Sequence, residues 1–311
     1  MRTTIRRLHF AALLSATLVG SLLTIPFAGA SVVQPARPVP FTVRLEDQIL
    51  ANLRYLPVTF VPASSTTTTT TTTSTSTTTT TLSTTTTTTA PTTPVTVLDP
   101  PPTTTTTTTL KTTTVANPTL IQKGSFVWRY SILPAALKHL WSVGTDNVVL
   151  RGALMRFQGV HNLPTTGQMD AATWHAIVSA ARKNQADPNP YTYVYVSQTQ
   201  PESLSLYIDN YLFFSTAVNT GISVAPTANG TYPVYVRYTT TTMSGKEPDG
   251  KPYHDAGIPW VSYFNGGDAL HGFIRGGYGY PQSLGCVEMT YAHAAIVWPH
   301  TPVGTLVTVA P

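Results

Sequence analysis

Apolar residues recur at intervals of three or four in three stretches between residues 133 and 181. This spacing places apolar side chains on one face of an α-helix. Asp170 stands where a helix N-cap belongs, and Gly167 closes the turn before it. The pattern predicts a bundle of three short amphipathic helices, with apolar positions at Leu133, Leu137, Leu140 and Trp141, at Leu150, Leu154 and Phe157, and at Trp174, Ile177, Val178 and Ala181.

From residue 191 the pattern changes from helical to alternating. Stretches rich in Val, Tyr, Ile and Thr are separated by the turn-forming pairs Asp209-Asn210, Asn229-Gly230 and Gly266-Gly267. A series of short strands of this length can fold around its own core. The pattern predicts a mainly antiparallel β-sandwich or barrel with one helix at 291–298, and the fold class is therefore α+β. The strand candidates span 191–197, 203–218, 229–238, 259–265 and 304–309.

Residues 62–120 are dominated by threonine, with prolines at 91, 94 and 100–102. A segment of this composition buries too little apolar surface to offset the entropy lost on ordering. We therefore expect a disordered stalk, either bare or carrying sugars on its threonine hydroxyls.

The first thirty residues have the order of a secretory signal peptide. Arg2, Arg6 and Arg7 precede an apolar run at 10–27, and small residues close the segment at 28–30. The run is also close to the length of a membrane span, so an uncleaved signal anchor is the alternative. We expect an exported protein that contacts the membrane only if this segment is retained.

The charge balance gives no reason to expect nucleic acid as a partner. Three of the 18 Lys and Arg residues lie in the first thirty, so from Ser31 onward 15 basic residues face 13 acidic ones. A nucleic-acid-binding domain usually carries a larger excess of positive charge on one face.

Cys286 is the single cysteine of the chain. An exported structural cysteine normally has a disulfide partner, so this thiol is an intermolecular linker, an inert buried group or a nucleophile. A nucleophilic thiol needs a nearby base, and His271 lies 15 positions earlier, a distance that suits two adjacent strands. Gly285 permits close approach of a substrate carbonyl, and the amides of Gly285 and Cys286 could form an oxyanion hole.

Other chemistries lack their sequence signals. The remaining histidines have no zinc-ligand spacing with Cys286, so we expect no metal site. The sequence has no nucleotide-binding loop and no G-x-S-x-G nucleophile elbow, and we expect no cofactor.

The segment around Cys286 resembles the motif of the YkuD family of L,D-transpeptidase catalytic domains. The motif is H-G, a variable stretch and S-H-G-C-[IV]-R, and here it stands as His271-Gly272 followed by Ser283-Leu284-Gly285-Cys286-Val287-Glu288. Residues 226–238 and 304–309 resemble two strands of the same family. The resemblance implies that Cys286 is the nucleophile, that His271 accepts and donates protons, and that the Gly272 carbonyl orients the His271 ring.

Two positions depart from this motif. Leu284 replaces its second histidine, and Glu288 replaces the arginine that follows the cysteine. Arg275 is a candidate substitute for that arginine near a substrate carboxylate, although a solvated surface arginine is the favoured interpretation. Tyr253 and Tyr263 are candidates for lining the donor site, with packing in the core favoured for both. Ser283 and Gly285 complete the expected oxyanion and substrate-binding set.

A second resemblance concerns the helices. Residues 155–177 are similar to the repeat of small peptidoglycan-binding domains, and residues 45–60 are similar to the opening helix and exit of that domain. The threonine tract would then be looped out of the helical module. The expected organisation is a signal peptide at 1–30, a short segment at 31–61 that holds the first helix of the module, the stalk at 62–120, the peptidoglycan-binding-like module at 121–185 and the catalytic domain at 191–311.

Three functions follow from these resemblances. The first is an L,D-transpeptidase that joins a tetrapeptide donor stem to the diamino-acid amine of an acceptor stem, giving 3→3 cross-links in the peptidoglycan of the cell wall. The second is an L,D-carboxypeptidase, in which water resolves the same thioester. The third is a non-catalytic wall-binding protein. All three place the protein outside the cytoplasm, associated with the wall.

Overall fold

The computed structural model describes residues 39–63 and 120–311. The signal-peptide prediction lies outside these residues, as does nearly all of the predicted stalk. No helix within the described ranges is long and apolar enough to cross a membrane.

The chain on the two sides of segment 64–119 belongs to one hairpin. Helix α1 (Val43–Asn52) leads into strand β1 (Val58–Pro62), which pairs antiparallel with β2 (Gly124–Trp128). The Gln48 side chain also donates to the carbonyl of Leu120 at 2.6 Å. Residues 43–62 therefore contact the segment that begins at residue 120 through a strand pair and a side-chain hydrogen bond.

Two of the three predicted helices have the expected length. Helix α3 (Val148–Val160) begins at Asn147, and α4 (Ala171–Lys183) begins at the predicted N-cap Asp170, whose carboxylate accepts from the Thr173 amide at 2.7 Å. Helix α2 is a single turn, Ala135–Lys138. The chain turns away after α2, and Trp141 packs at ring distances of 5.3 Å and 6.0 Å against two aromatic residues of β2.

The alternating region forms two packed sheets, as predicted for a β-sandwich. One sheet has the strand order β5-β4-β3-β11-β6 and the other β10-β9-β8-β7. Most neighbours are antiparallel, but β3 pairs in parallel with β11 and β9 with β10. The strands are β3 (Thr192–Ser197), β4 (Ser203–Ile208), β5 (Tyr211–Ala217), β6 (Gly230–Pro233), β7 (Val236–Lys246), β8 (Pro252–Asn265), β9 (Asp268–Gly272), β10 (Val287–Met289) and β11 (Leu306–Ala310), and helix α5 (Tyr291–Val297) and a 3₁₀ turn (Trp298–His300) precede β11.

The core lies between the two sheets because alternate side chains of the central strands point inward. Leu204 and Leu206 from one sheet and Leu270 and Val287 from the other are at most 1 % exposed. Burying one such side chain contributes about 1.5–3 kcal/mol. This core holds the ends of β9 and β10 in place.

Helix α3 contacts the sandwich through glycine. A Cβ on Gly152 would lie 2.7 Å from the Gly304 carbonyl oxygen, closer than side chains approach backbone oxygen. Nearby, Arg156 and Asp187 form an ion pair at 2.9 Å. The close approach of two backbones requires glycine on both sides of this contact.

Candidate active site

His271 and Cys286 meet because two short strands pair side by side. His271 lies in β9, and Cys286 immediately precedes β10. The parallel register sets Leu270 beside Val287 and His271 beside Glu288. The sequence predicted adjacent strands, and their parallel pairing brings both residues to the same end of the sheet.

Both residues line one cavity of about 950 Å³. This volume lies at the upper end of the range usual for ligand pockets. The long β7–β8 hairpin and the segment between β9 and β10 both contribute residues to its lining. Five predicted site residues line the cavity: Tyr253, Tyr263, His271, Arg275 and Cys286.

The His271 ring is held as a neutral base. Its side chain is 2 % exposed, and its Nδ1 lies 3.0 Å from the Gly272 carbonyl oxygen. A carbonyl only accepts, so Nδ1 carries the proton and Nε2 has a free lone pair. Burial lowers the pKa of His271, against a smaller raising effect of the Gly272 contact.

The Cys286 side chain is half-buried and protonated. Burial raises its pKa to about 12, the Ala269 amide lowers it, and the charges of Glu288 and Asp268 raise it further. The sulfur donates a long hydrogen bond of 3.7 Å to the Gly267 carbonyl. No hydrogen bond joins Cys286 to His271 in the described structure, and the thiol is directed to the Gly267 carbonyl instead.

Ser283 and Gly285 lie behind the nucleophile rather than against the cavity. Ser283 is 1 % exposed, and its hydroxyl donates to the Cys286 carbonyl at 2.6 Å and accepts from the Gly285 amide at 3.2 Å. At rest the polar groups of these two residues bond each other, and the expectation that they contact substrate stays a prediction. The Cys286 amide makes no hydrogen bond within the described residues and is the available oxyanion donor.

Gly285 has a conformational role in this turn. Its φ of +117° is one that residues with a side chain rarely adopt, and an added Cβ would lie 2.6 Å from an Asp268 carboxylate oxygen. Any larger residue would shift Cys286 or Asp268.

Arg275 is an ion-pair partner, which corrects the favoured interpretation of a solvated surface residue. Its guanidinium binds both carboxylate oxygens of Glu288, at 2.7 and 2.8 Å, and lies 4.5 Å from the centre of the Phe273 ring. The hydrogen bond to Glu288 raises the pKa of Arg275 further. Glu288, at the position of the motif's arginine, is thus neutralised by an arginine from the segment between β9 and β10.

Tyr253 and Tyr263 line the cavity, so the favoured prediction of core packing is wrong for Tyr253 and incomplete for Tyr263. Tyr263, like Cys286, also packs against a small apolar cluster of Ile258, Val261 and Ala269. Burial raises the pKa of both phenols, and a negative charge on Cys286 would raise it further. Both tyrosines therefore act as neutral hydroxyls beside the thiol.

Sequence reasoning missed three carboxylates of the cavity: Glu247, Asp255 and Asp268. None belongs to a motif. Their only signal is their position on strands or turns next to predicted site residues. Within the described residues, no group of three or more His, Cys, Asp or Glu side chains could hold a metal ion.

Residues 191–309 match the model of the YkuD family, the L,D-transpeptidase catalytic domain. The matched range contains strands β9 and β10 and the cavity residues His271 and Cys286. Residues 191–309 form a YkuD domain. A comparison with curated proteins found no match for the chain.

Solved L,D-transpeptidases are similar to the YkuD domain. The Mycobacterium smegmatis protein is 17 % identical, and the alignment covers 39 % of this chain and 58 % of that one with a TM-score of 0.35. The catalytic domain from E. faecium is 22 % identical over 40 % of this chain and 99 % of its own, with a TM-score of 0.35. The Stackebrandtia nassauensis protein is 21 % identical over 56 % and 85 %, with a TM-score of 0.29.

Proposed function

We propose that this protein is a cysteine-dependent L,D-transpeptidase that forms 3→3 cross-links in peptidoglycan. The observation that carries the proposal is the shared cavity of Cys286 and His271 inside the YkuD domain, with the His271 ring fixed as a base by Gly272. The cavity has room for a peptide stem, and the thiol, the imidazole and the free Cys286 amide supply a nucleophile, a base and an oxyanion donor.

The first half-reaction forms a thioester. His271 Nε2 takes the Cys286 proton as the sulfur attacks the carbonyl that joins the third stem residue to the terminal D-Ala. The Cys286 amide donates to the oxyanion. The carbon–nitrogen bond then breaks, and His271 returns the proton to the amine of the departing D-Ala.

The second half-reaction transfers the acyl group. The side-chain amine of the third residue of another stem attacks the thioester carbonyl and gives its proton to His271. The carbon–sulfur bond breaks, and the sulfur regains a proton from His271. The product is an amide between the third residues of two stems. Water in place of the amine gives the carboxypeptidase reaction.

Proton transfer in this scheme is coupled to attack rather than completed before it. With a thiol pKa of about 12, forming a free thiolate at pH 7 costs about 1.4 kcal/mol for each unit of difference. His271 is neutral at that pH because burial lowers its pKa. The pair therefore rests as thiol and imidazole, and the substrate carbonyl is needed to draw the proton across.

The proposal also covers location. A cell-wall substrate lies outside the membrane, and the signal-like segment 1–30 supports export. The helical module would hold the YkuD domain at the wall, and its close backbone contact through Gly152 and Gly304 makes it a firm support.

Turnover of a defined donor tests the proposal. The full-length wild type, Cys286→Ala and His271→Ala are incubated with a disaccharide-tetrapeptide, and products are separated by liquid chromatography and mass spectrometry. We expect wild type alone to release D-Ala and form a cross-linked dimer. Tripeptide without dimer would support the carboxypeptidase. No D-Ala release by folded wild type would contradict both and leave a wall-binding protein.

A further inference from the structure

The charged side chains of the cavity are unevenly balanced. Four carboxylates and one guanidinium line it, those of Glu247, Asp255, Asp268, Glu288 and Arg275. The bidentate contact with Glu288 neutralises the positive charge of Arg275. An anionic group entering the cavity therefore meets no free cation among the described lining residues.

The other three carboxylates make no ion pair within the described chain. Asp268 accepts from the Ala228 amide and the Asn265 side chain, both at 3.3 Å, and both are neutral donors. Glu247 and Asp255 are exposed on the β7–β8 hairpin. The hairpin's Lys251 is bound to Asp249 at 2.6 Å, and neither of these two residues lines the cavity.

The same cavity has an apolar part. Ile222, Met243, Ile258, Phe273 and Leu284 contribute hydrocarbon or aromatic surface to its lining. Leu284 stands where the motif has a histidine, so this chain has replaced a polar group by an alkyl one. Alkyl surface next to unpaired carboxylates matches a ligand with a methylene chain and a terminal ammonium.

The imidazole of His271 lies at the same cavity and has one nitrogen that is free to bind a ligand. His271 is 2 % exposed, lines the cavity, and leaves Nε2 without a hydrogen-bond partner in the described structure. Because Nε2 is not among the buried polar atoms that lack a partner, it opens onto the cavity, where a substrate or the thiol can reach it.

We propose that the cavity selects donor stems whose third residue has an alkylammonium side chain with no free carboxylate on it, with Glu247 and Asp255 receiving the ammonium. The inference rests on the proposed function and names the substrate class of the same site. A carboxylate on that side chain would meet like charges, and Arg275, bound to Glu288, is not available to compensate.

Three tetrapeptide donors that differ only at the third residue test this selection. One has lysine, one has diaminopimelate with its free side-chain carboxylate, and one has the same diaminopimelate with that carboxylate converted to a carboxamide. D-Ala release is measured as kcat/KM with the full-length protein. We expect the lysine and carboxamide donors to exceed the free carboxylate by about tenfold, because repulsion of that carboxylate by two exposed carboxylates has about this combined effect.

Substitutions locate the cause. The double variant Glu247→Gln/Asp255→Asn should lower the preference to about twofold, while Asp249→Asn, a charge removed from the same hairpin outside the cavity, should leave it at the wild-type value. The preference should also shrink in high salt, because exposed charges are screened.

The outcomes separate the two proposals. Equal turnover of the three donors, a preference for the free carboxylate, or an equal effect of Asp249→Asn would overturn the selection while leaving the enzyme. No release of D-Ala from any donor by the folded protein would overturn the proposed function, and the selection with it.

Discussion

Breaking the Arg275–Glu288 pair should destabilise the YkuD domain and change the reactivity of Cys286. The Glu288 side chain is 6 % exposed and that of Arg275 29 %. Removing one partner of a fully buried pair costs about 3–5 kcal/mol, and removing one of an exposed pair less than about 1 kcal/mol. The intermediate burial places the loss for Glu288→Gln near 2 kcal/mol in the free energy of unfolding.

A double-mutant cycle isolates this interaction. Glu288→Gln, Arg275→Gln and the double variant are unfolded in urea, with tryptophan fluorescence as the signal. We expect each single variant to lose about 2 kcal/mol and the double variant to lose little more than one of them, a coupling of about 2 kcal/mol. A coupling below about 0.5 kcal/mol would show that the two side chains do not depend on each other.

The cycle has a second readout at the nucleophile. The negative charge of Glu288 raises the pKa of Cys286, so its removal should lower that pKa. Glu288→Gln also leaves the Arg275 cation unpaired, so the single variant should show a lower thiol pKa than the double variant. The pH dependence of iodoacetamide alkylation measures both. A thiol pKa in Glu288→Gln equal to or above the wild-type value would refute this reasoning.

Three further predictions concern the resting thiol, the contact with the helical module and the dependence on pH. Because the pKa of Cys286 is near 12, iodoacetamide should alkylate it at pH 7.5 about 100-fold more slowly than free cysteine. The alkylation rate should still rise above pH 9, and a rate that reaches a plateau below pH 9 would contradict this. Gly152→Ala should lower the free energy of unfolding by about 1–3 kcal/mol because its Cβ meets the Gly304 carbonyl. Gly159→Ala on the same helix should be neutral or stabilising, because its Cβ would meet only a methyl group at 3.6 Å. Equal urea midpoints for the two variants would refute the contact. Burial raises the pKa of Glu46 to about 8, so the folded state holds a proton that the unfolded state loses above about pH 4.3. The free energy of unfolding should therefore fall by up to about 1.4 kcal/mol per pH unit as the pH rises from about 5 to 8. In urea unfolding, Glu46→Gln should flatten that slope.

Much of the sandwich follows from local patterns in the sequence. The alternation in 203–218 and the Asp209-Asn210 pair give the β4–β5 hairpin directly, because strand period and turn chemistry are both local. The first predicted helix is shorter than expected for a reason that is not local. The apolar spacing at Leu140 and Trp141 is compatible with a helix, but Trp141 packs on β2 instead. Strand β2 lies next to β1 only after a long intervening segment, which periodicity does not reveal.

Some features of the candidate site follow from local sequence, and others depend on the fold. The motif identified Cys286 and His271, and their spacing indicated adjacent strands. The link between Arg275 and Glu288 depends on how the β9–β10 segment folds back, and the carboxylates Glu247 and Asp255 reach the cavity on a hairpin that no motif marks. The nucleophile and base could be predicted from the sequence, whereas the charge balance of the cavity could be determined only from the folded structure.

Acylation of Cys286 can be detected by intact-protein mass spectrometry. Full-length wild type and Cys286→Ala, both shown to be folded by circular dichroism, are incubated with a carbapenem, and the modified protein is digested to locate the adduct. We expect one added carbapenem mass on wild type, mapped to Cys286, and none on the variant. An unmodified wild type, or an adduct that persists in Cys286→Ala, would contradict it.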